Sequence, residues 1–273
     1  HNLHGYYINV DLLFRWIKSR PHMQVNWTLH DCWAFTGHCS HFVSAKCEKW
    51  KTGCHTCPKK KAYPQSLLLD NSKVNYQKKK ALFTGVSNMT IITPSQWLAG
   101  LAKESFLKKY PIVVRNNKID LSVFRPTPGN FRSEHNLEDK KIVLGVASAW
   151  GKSKGLYDFL ALSQRLDERY SIVLVGLNGK QMSLMKPNML GICKTNNVQE
   201  LAQIYTAADV FVNPTHCDTY PTVNLEARAC GTPVITYNVG GSPESAGYEH
   251  ILEENDIDGL INTIHAICFP NEP

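Results

Sequence analysis

The sequence predicts an α/β protein whose second half is a parallel, nucleotide-binding sheet. Three observations lead there. Residues 142–146, 171–176 and 209–213 are short and almost unbroken apolar runs, the pattern of strands covered on both faces. Residues 156–166 and 198–208 place apolar side chains at helical spacing, so strand and helix alternate as parallel pairing requires. The loop Gly151-Lys152-Ser153-Lys154-Gly155 follows the first run, where a βα turn brings amides and cationic side chains to a phosphate.

The elements follow in order along the chain. Leu12, Leu13, Trp16 and Ile17 form an apolar stripe at helical spacing, expected to pack in a core. Residues 25–33 run from a strand into the polar pair His30-Asp31, at the carboxyl end where open α/β sheets bind ligands. A lone histidine there also serves as a half-buried structural residue. Pro126-Thr127-Pro128-Gly129-Asn130 marks an interdomain linker, dividing the chain into residues 1–125 and 126–273, and residues 257–268 read as a closing helix.

The stretch from Cys217 to Val234 carries the most chemistry. Pro221 presets helix entry, Thr222 can cap the helix, Gly231 can end it in a left-handed conformation, and Pro233 forbids its return. Asp218 precedes this helix and Glu226, eight residues on, lies inside it. The helix N-terminus suits a phosphate, whereas the carboxylates accept hydrogen bonds and suit hydroxyls. A ligand with both is a nucleotide sugar. The alternative is an ordinary amphipathic helix with its acids in water.

These motifs resemble the retaining glycosyltransferases of family 4, in which two glutamates with seven residues between them stand around a helix start. Asp218 replaces the first glutamate, and Tyr220-Pro221 stands where Phe-Gly is usual. Gly145 to Leu156 is similar to the family's glycine and basic loop, with Ser148 where many relatives have arginine. Gly240-Gly241-Ser242-Pro243-Glu244, the His30 segment, Thr93 to Trp97, and Val114 to Asp120 with Phe124 resemble further family segments. The overall pattern is similar to transferases of the colanic acid type.

The resemblance implies a GT-B fold of two Rossmann-like domains facing a cleft, and transfer of a hexose from a nucleoside diphosphate sugar to a saccharide or lipid-linked saccharide, with retention, in surface polysaccharide assembly. It implies that Lys154, with Gly155, Lys152, Tyr220, Thr222 and Val223, binds the donor. Glu226 is implied on the ribose, Asp218 on the donor sugar, and His30 on the donor sugar or the acceptor. No catalytic cofactor is expected. A sugar-nucleotide epimerase of similar fold and a non-catalytic nucleotide-binding domain are the alternatives. His1 to Tyr7 resembles a segment that relatives reach only after several elements, so the chain reads as lacking the start of its first domain and that domain's first glycine-rich loop.

Composition bounds the rest. A charge of +7 over 273 residues suits an anionic ligand or acidic membrane surface without demanding nucleic acid. No apolar run reaches membrane-spanning length. The sugar-nucleotide chemistry that the resemblance implies points to the cytoplasm, with peripheral association at the inner membrane face through Lys59 to Lys61 and Lys78 to Lys80. Four of the nine cysteines, Cys39, Cys47, Cys54 and Cys57, lie within 19 residues. They are candidates for a structural zinc site, and disulfides are the rival.

Overall fold

The computed structural model describes residues 8–61, 65, 66 and 68–272. The family-like segment His1 to Tyr7 lies outside them. The chain divides into two units, one ending at Asn116 and the other beginning at Asn117.

The first unit contains the helices α1 (Val10–Lys18), α2 (Ser72–Phe83) and α3 (Gln96–Glu104) and the strands β1 (Val25–Thr28), β2 (Met89–Thr93) and β3 (Ile112–Val114). The strands pair in parallel in the order β1-β2-β3, with Val25 opposite Met89 and Ile91 opposite Ile112. Asn9 caps α1 and Ser95 caps α3, each side chain accepting from the amide three residues on. Phe14, Phe83, Ile91 and Leu98 lie in the core. The expected burial of the whole α1 stripe is corrected. Ile17 is buried and Phe14 joins it, but Leu12 is 64% and Trp16 49% exposed. An apolar stripe shows which residues share a face, and here the buried face is centred on Phe14. The Arg20 guanidinium lies over the Trp16 ring, 4.3 Å from its centroid.

The second unit is a doubly wound sheet. Its strands are β4 (Lys141–Val146), β5 (Tyr170–Val175), β6 (Met189–Ile192), β7 (Val210–Asn213), β8 (Val234–Tyr237) and β9 (His250–Leu252). All pair in parallel, in the order β6-β5-β4-β7-β8-β9. Its helices are α4 (Phe131–Glu134), α5 (Leu156–Ser163), α6 (Gly179–Met182), α7 (Val198–Ala207), α8 (Thr222–Ala229), α9 (Ser242–Ala246) and α10 (Ile257–Cys268).

Successive strand residues alternate between two cores. Val143, Ile172, Leu174, Val210 and Val212 face one core, with Phe159 of α5 and Ile264 of α10. Ile142, Leu144, Val173, Val175 and Phe211 face the other, with Tyr205 of α7 and Ala227 of α8. Both faces are covered, so the strands read as continuous apolar runs. The proline-rich stretch after Arg125 lies on this unit, where Thr127 N–H donates to Thr206 Oγ1 at 3.0 Å.

Candidate active site at the switch point of the second sheet

The strand order reverses between β4 and β7, and loops leaving such a switch point diverge to form a ligand crevice. The loop after β4 is anchored by Trp150, whose indole N–H donates to Val175 O at 2.8 Å while its carbonyl accepts from Gln181 Nε2 at 2.9 Å. Gly155, at φ 73°, ends the Lys152–Lys154 turn so close to the loop after β7 that a Cβ would collide with Pro214 O. His216 N–H and Thr215 Oγ1 both donate to Ser153 O, at 3.0 and 3.2 Å.

Held in this way, Lys154 Nζ meets Asp218 Oδ2 at 2.5 Å. The other oxygen, Asp218 Oδ1, accepts from Tyr220 N–H at 3.2 Å, a local turn that fixes the carboxylate. Asp218 O accepts from Gly241 N–H at 3.1 Å. Gly240, at φ 63°, passes so close that a Cβ would strike that carbonyl. Asn224 anchors the same turn from inside: its amide donates to Ser245 Oγ at 2.9 Å and accepts from Asn213 at 2.8 Å.

Helix α8 starts at Thr222 after Pro221, with no side-chain cap. The expected Thr222 cap is therefore corrected. Proline fixes the turn into the helix, and the Thr222 side chain bonds to Glu226 instead. The first-turn amides thus lack a capping side chain, the arrangement that favours an anion. Gly231 ends the helix at φ 85°, in the expected left-handed conformation. Glu226, in the second turn, accepts from the buried Tyr205 hydroxyl at 3.0 Å. Burial pushes its carboxyl up from the ordinary value, against the hydrogen bonds from Tyr205 and Thr222.

Lys154 and Asp218 are in direct contact, while the Glu226 carboxylate bonds to Tyr205 and Thr222. Tyr220 is buried, and its carbonyl accepts from Asn117 Nδ2 at 3.2 Å. Val223 packs on the core, and Lys152 is exposed. His30, in the first unit, is exposed two residues beyond β1. The sequence also contains an Asp-x-Asp, Asp256-Ile257-Asp258, the pattern that can bridge a diphosphate to a divalent metal. Here Asp256 caps α10, accepting from Gly259 N–H, and Asp258 pairs with Arg165 at 2.6 Å.

One constellation had no spacing to announce it. His216, two residues before Asp218, contacts Asp158 Oδ2 at 3.0 Å and Glu254 Oε1 at 2.7 Å. Asp158 also accepts from the Tyr237 hydroxyl at 2.7 Å. Burial alone would lower the imidazole pKa, but the two carboxylates outweigh it and raise it above the ordinary 6.5. Its partners come from α5 and the segment after β9, which only the folded chain brings together.

In the first unit Lys79 is buried and donates to Trp33 O at 2.7 Å and Thr36 O at 3.0 Å. Burial lowers its ammonium to about 7, opposed chiefly by the charge of Asp31. Cys39, Cys47, Cys54 and Cys57 are all free thiols. Burial, then the neighbouring thiols, push Cys39 up to about 12. Among the described residues, no group of three or more His, Cys, Asp or Glu is arranged to hold a metal ion.

This fold is that of the GT-B glycosyltransferases, built from Rossmann-like parallel sheets. Residues 140–268, all within the second unit, match the family Glycosyl transferases group 1. The chain is 26% identical over 268 residues to WcaC of Escherichia coli (strain K12), whose name places it among the glycosyl transferases of colanic acid biosynthesis; the match covers 93% of this chain and 63% of WcaC. It is 28% identical over 159 residues to the N,N'-diacetylbacillosaminyl-diphospho-undecaprenol alpha-1,3-N-acetylgalactosaminyltransferase of Campylobacter jejuni, covering 56% of this chain and 38% of that one. HepE of Anabaena, solved with UDP and glucose, shares the fold with a TM-score of 0.64 at 15% identity, over 90% of this chain and 62% of HepE. The chain thus spans under two thirds of each relative's length.

Proposed function

We propose that this chain is the greater part of a retaining, family 4 glycosyltransferase. It moves a hexose from a nucleoside diphosphate sugar to a saccharide or lipid-linked saccharide in surface polysaccharide assembly. The observation that carries the reading is the Lys154 to Asp218 contact at the sheet's switch point, beside the uncapped start of α8. Lys154 and the α8 amides neutralise the diphosphate, so no divalent metal is needed. Glu226 takes the ribose hydroxyls, Asp218 the sugar hydroxyls, and His30 the sugar or acceptor. The acceptor hydroxyl attacks the anomeric carbon on the face the diphosphate leaves. A new C–O bond forms as the C–O(phosphate) bond breaks, and the proton passes to the departing phosphate oxygen.

The HepE complex supports a uridine nucleotide, and the Campylobacter relative's name supports a lipid-linked acceptor. With such an acceptor the protein would work in the cytoplasm at the inner membrane face, and the exposed Lys61, Lys78 and Lys80 are the side chains offered for contact with anionic headgroups. Among the described residues no helix is long and apolar enough to cross a membrane. Calorimetry of UDP binding with and without EDTA tests the nucleotide site, and the expected affinity is the same in both. A strict magnesium or manganese requirement refutes metal-free binding. Transfer of labelled hexose from UDP-sugar to a lipid extract tests the reaction, and an altered donor without transfer would instead indicate an epimerase.

A further inference from the structure

We propose that Cys39, Cys47, Cys54 and Cys57 are the ligands of a structural zinc ion that fastens residues 36–58 to the first unit. This segment has little regular structure of its own, only the three-residue 3₁₀ turns Val43–Ala45 and Lys49–Lys51. Its chain turns through left-handed backbone at Lys46 (φ 47°) and Thr56 (φ 45°), each immediately before a cysteine. Non-glycine residues in that region need compensation, and here the strain falls where the chain must aim Cys47 and Cys57.

All four cysteines line one small cavity of about 10 Å³, together with Trp50 and Phe42. No disulfide joins any of them. Four sulfurs around a space of that size match the soft, four-coordinate preference of zinc and not the oxygen shells of calcium or magnesium.

Burial keeps the metal-free thiols protonated, and three neighbouring groups can stabilise thiolates once an ion replaces the protons. Gly37 N–H donates to Cys54 Sγ at 3.1 Å, and a Cβ at Gly37 would collide with Cys54 Cβ, so glycine lets an amide approach the sulfur. The Trp50 indole N–H is buried without an acceptor, and a metal-bound thiolate in the cavity it lines is the acceptor such a donor needs. Lys79 adds a buried cation whose charge acts on Cys54 and Cys39, offsetting the negative charge of a tetrathiolate site. As no group of three or more candidate ligands among the described residues is already arranged to hold a metal, the sulfurs must close on the cavity as the ion enters and the thiol protons leave.

The test is metal analysis of the purified 273-residue chain, with X-ray absorption at the zinc edge. About one zinc per chain in a four-sulfur shell at about 2.3 Å is expected. Cys57→Ser should weaken zinc binding by more than the roughly 10- to 100-fold that loss of an outer contact causes. Cys193→Ser, at an exposed cysteine of the second unit, should keep the full complement. Wild-type protein without zinc, its thiols free or oxidised, overturns the proposal, as does zinc bound through nitrogen and oxygen. The wild-type measurement decides even if Cys57→Ser fails to fold.

Discussion

Replacing Asp218 by Asn tests the candidate site most directly, because it removes one charge and almost no volume. The pair is 2.5 Å long, with side chains 35% exposed at Lys154 and 18% at Asp218. Its worth lies between a solvated surface pair, about 0–1 kcal/mol, and a buried one, whose breaking costs about 3–5 kcal/mol. A fold destabilised by about 1–2 kcal/mol is therefore expected. Asn keeps an oxygen for Tyr220 N–H, so the turn into α8 should survive.

The effect on binding has the opposite sign. In the wild type a diphosphate must draw Lys154 away from a carboxylate already in contact with it. A charged hydrogen bond contributes about 1.5–3 kcal/mol, and this competition cancels part of it. Relieving it should tighten UDP binding by about 0.5–1.5 kcal/mol, or roughly 2- to 10-fold. Transfer should fall about 100-fold or more, as for other lost contacts that serve mainly the transition state. The assay pairs UDP calorimetry with hexose transfer for wild type, Asp218→Asn and Lys154→Ala. Lys154→Ala should weaken UDP by roughly 10- to 150-fold. If Asp218→Asn weakens UDP as well, the carboxylate positions Lys154 instead of competing for it, and the reasoning is refuted. Wild-type transfer by that variant removes Asp218 from the mechanism.

Glu226→Ala should weaken UDP by about 1.5–3 kcal/mol, whereas Tyr205→Phe, which removes only the hydroxyl bonded to Glu226, should change it about threefold or less; equal losses in calorimetry would make Glu226 a structural partner of Tyr205. Because the folded-state pKa of His216 is raised above 6.5, its pairing with Asp158 and Glu254 stabilises fully below that value and is lost as pH rises through the raised one. Urea unfolding should therefore separate wild type from His216→Gln more at about pH 6 than at about pH 8.5, and a constant gap contradicts this. Gly240→Ala should destabilise by more than the roughly 1–2 kcal/mol of left-handed strain, because its Cβ also strikes Asp218 O. Gly151→Ala, at φ 179° with nothing within 4 Å of its Cβ, should melt close to wild type, and equal melting shifts for both glycines would reject the close approach.

The second sheet was legible because both its faces are buried, which leaves each strand as a single apolar run. Residues 257–268 were legible as a helix because the apolar period continues to the end of α10. The α1 stripe was misread because Leu12 and Trp16 share a helical period with Ile17, and period alone does not say where the covered face is centred. The site was legible where chemistry and local sequence coincide, at Lys154, Asp218 and the start of α8. His216, Asp158 and Glu254 come from three separate segments, each unremarkable alone, and only the tertiary fold makes them a set. Lys79 escaped for the opposite reason, since Lys78 to Lys80 looks like a solvated run until the helix turns Lys79 inward onto two carbonyls.

What the motif residues do in the fold separates signature from chemistry. Gly155 permits contact with Pro214, Gly240 permits contact with Asp218, Tyr220 is buried, and Asn224 joins a buried polar network. These residues recognise neighbouring loops. They bring three chain segments together so that one ammonium, one carboxylate and one helix terminus share the crevice. A change to any of them should therefore shift the ion pair and the helix entry together. The loop at Tyr220 and Pro221 is tied by the Asn117 side-chain amide, which donates to Tyr220 O, and by Gly241 N–H, which donates to Asp218 O. Specific chemistry then rests on few side chains, and Asp218 is held by its carboxylate, to Lys154 and Tyr220, and by its carbonyl, to Gly241, so its position reports on the assembly of all three loops.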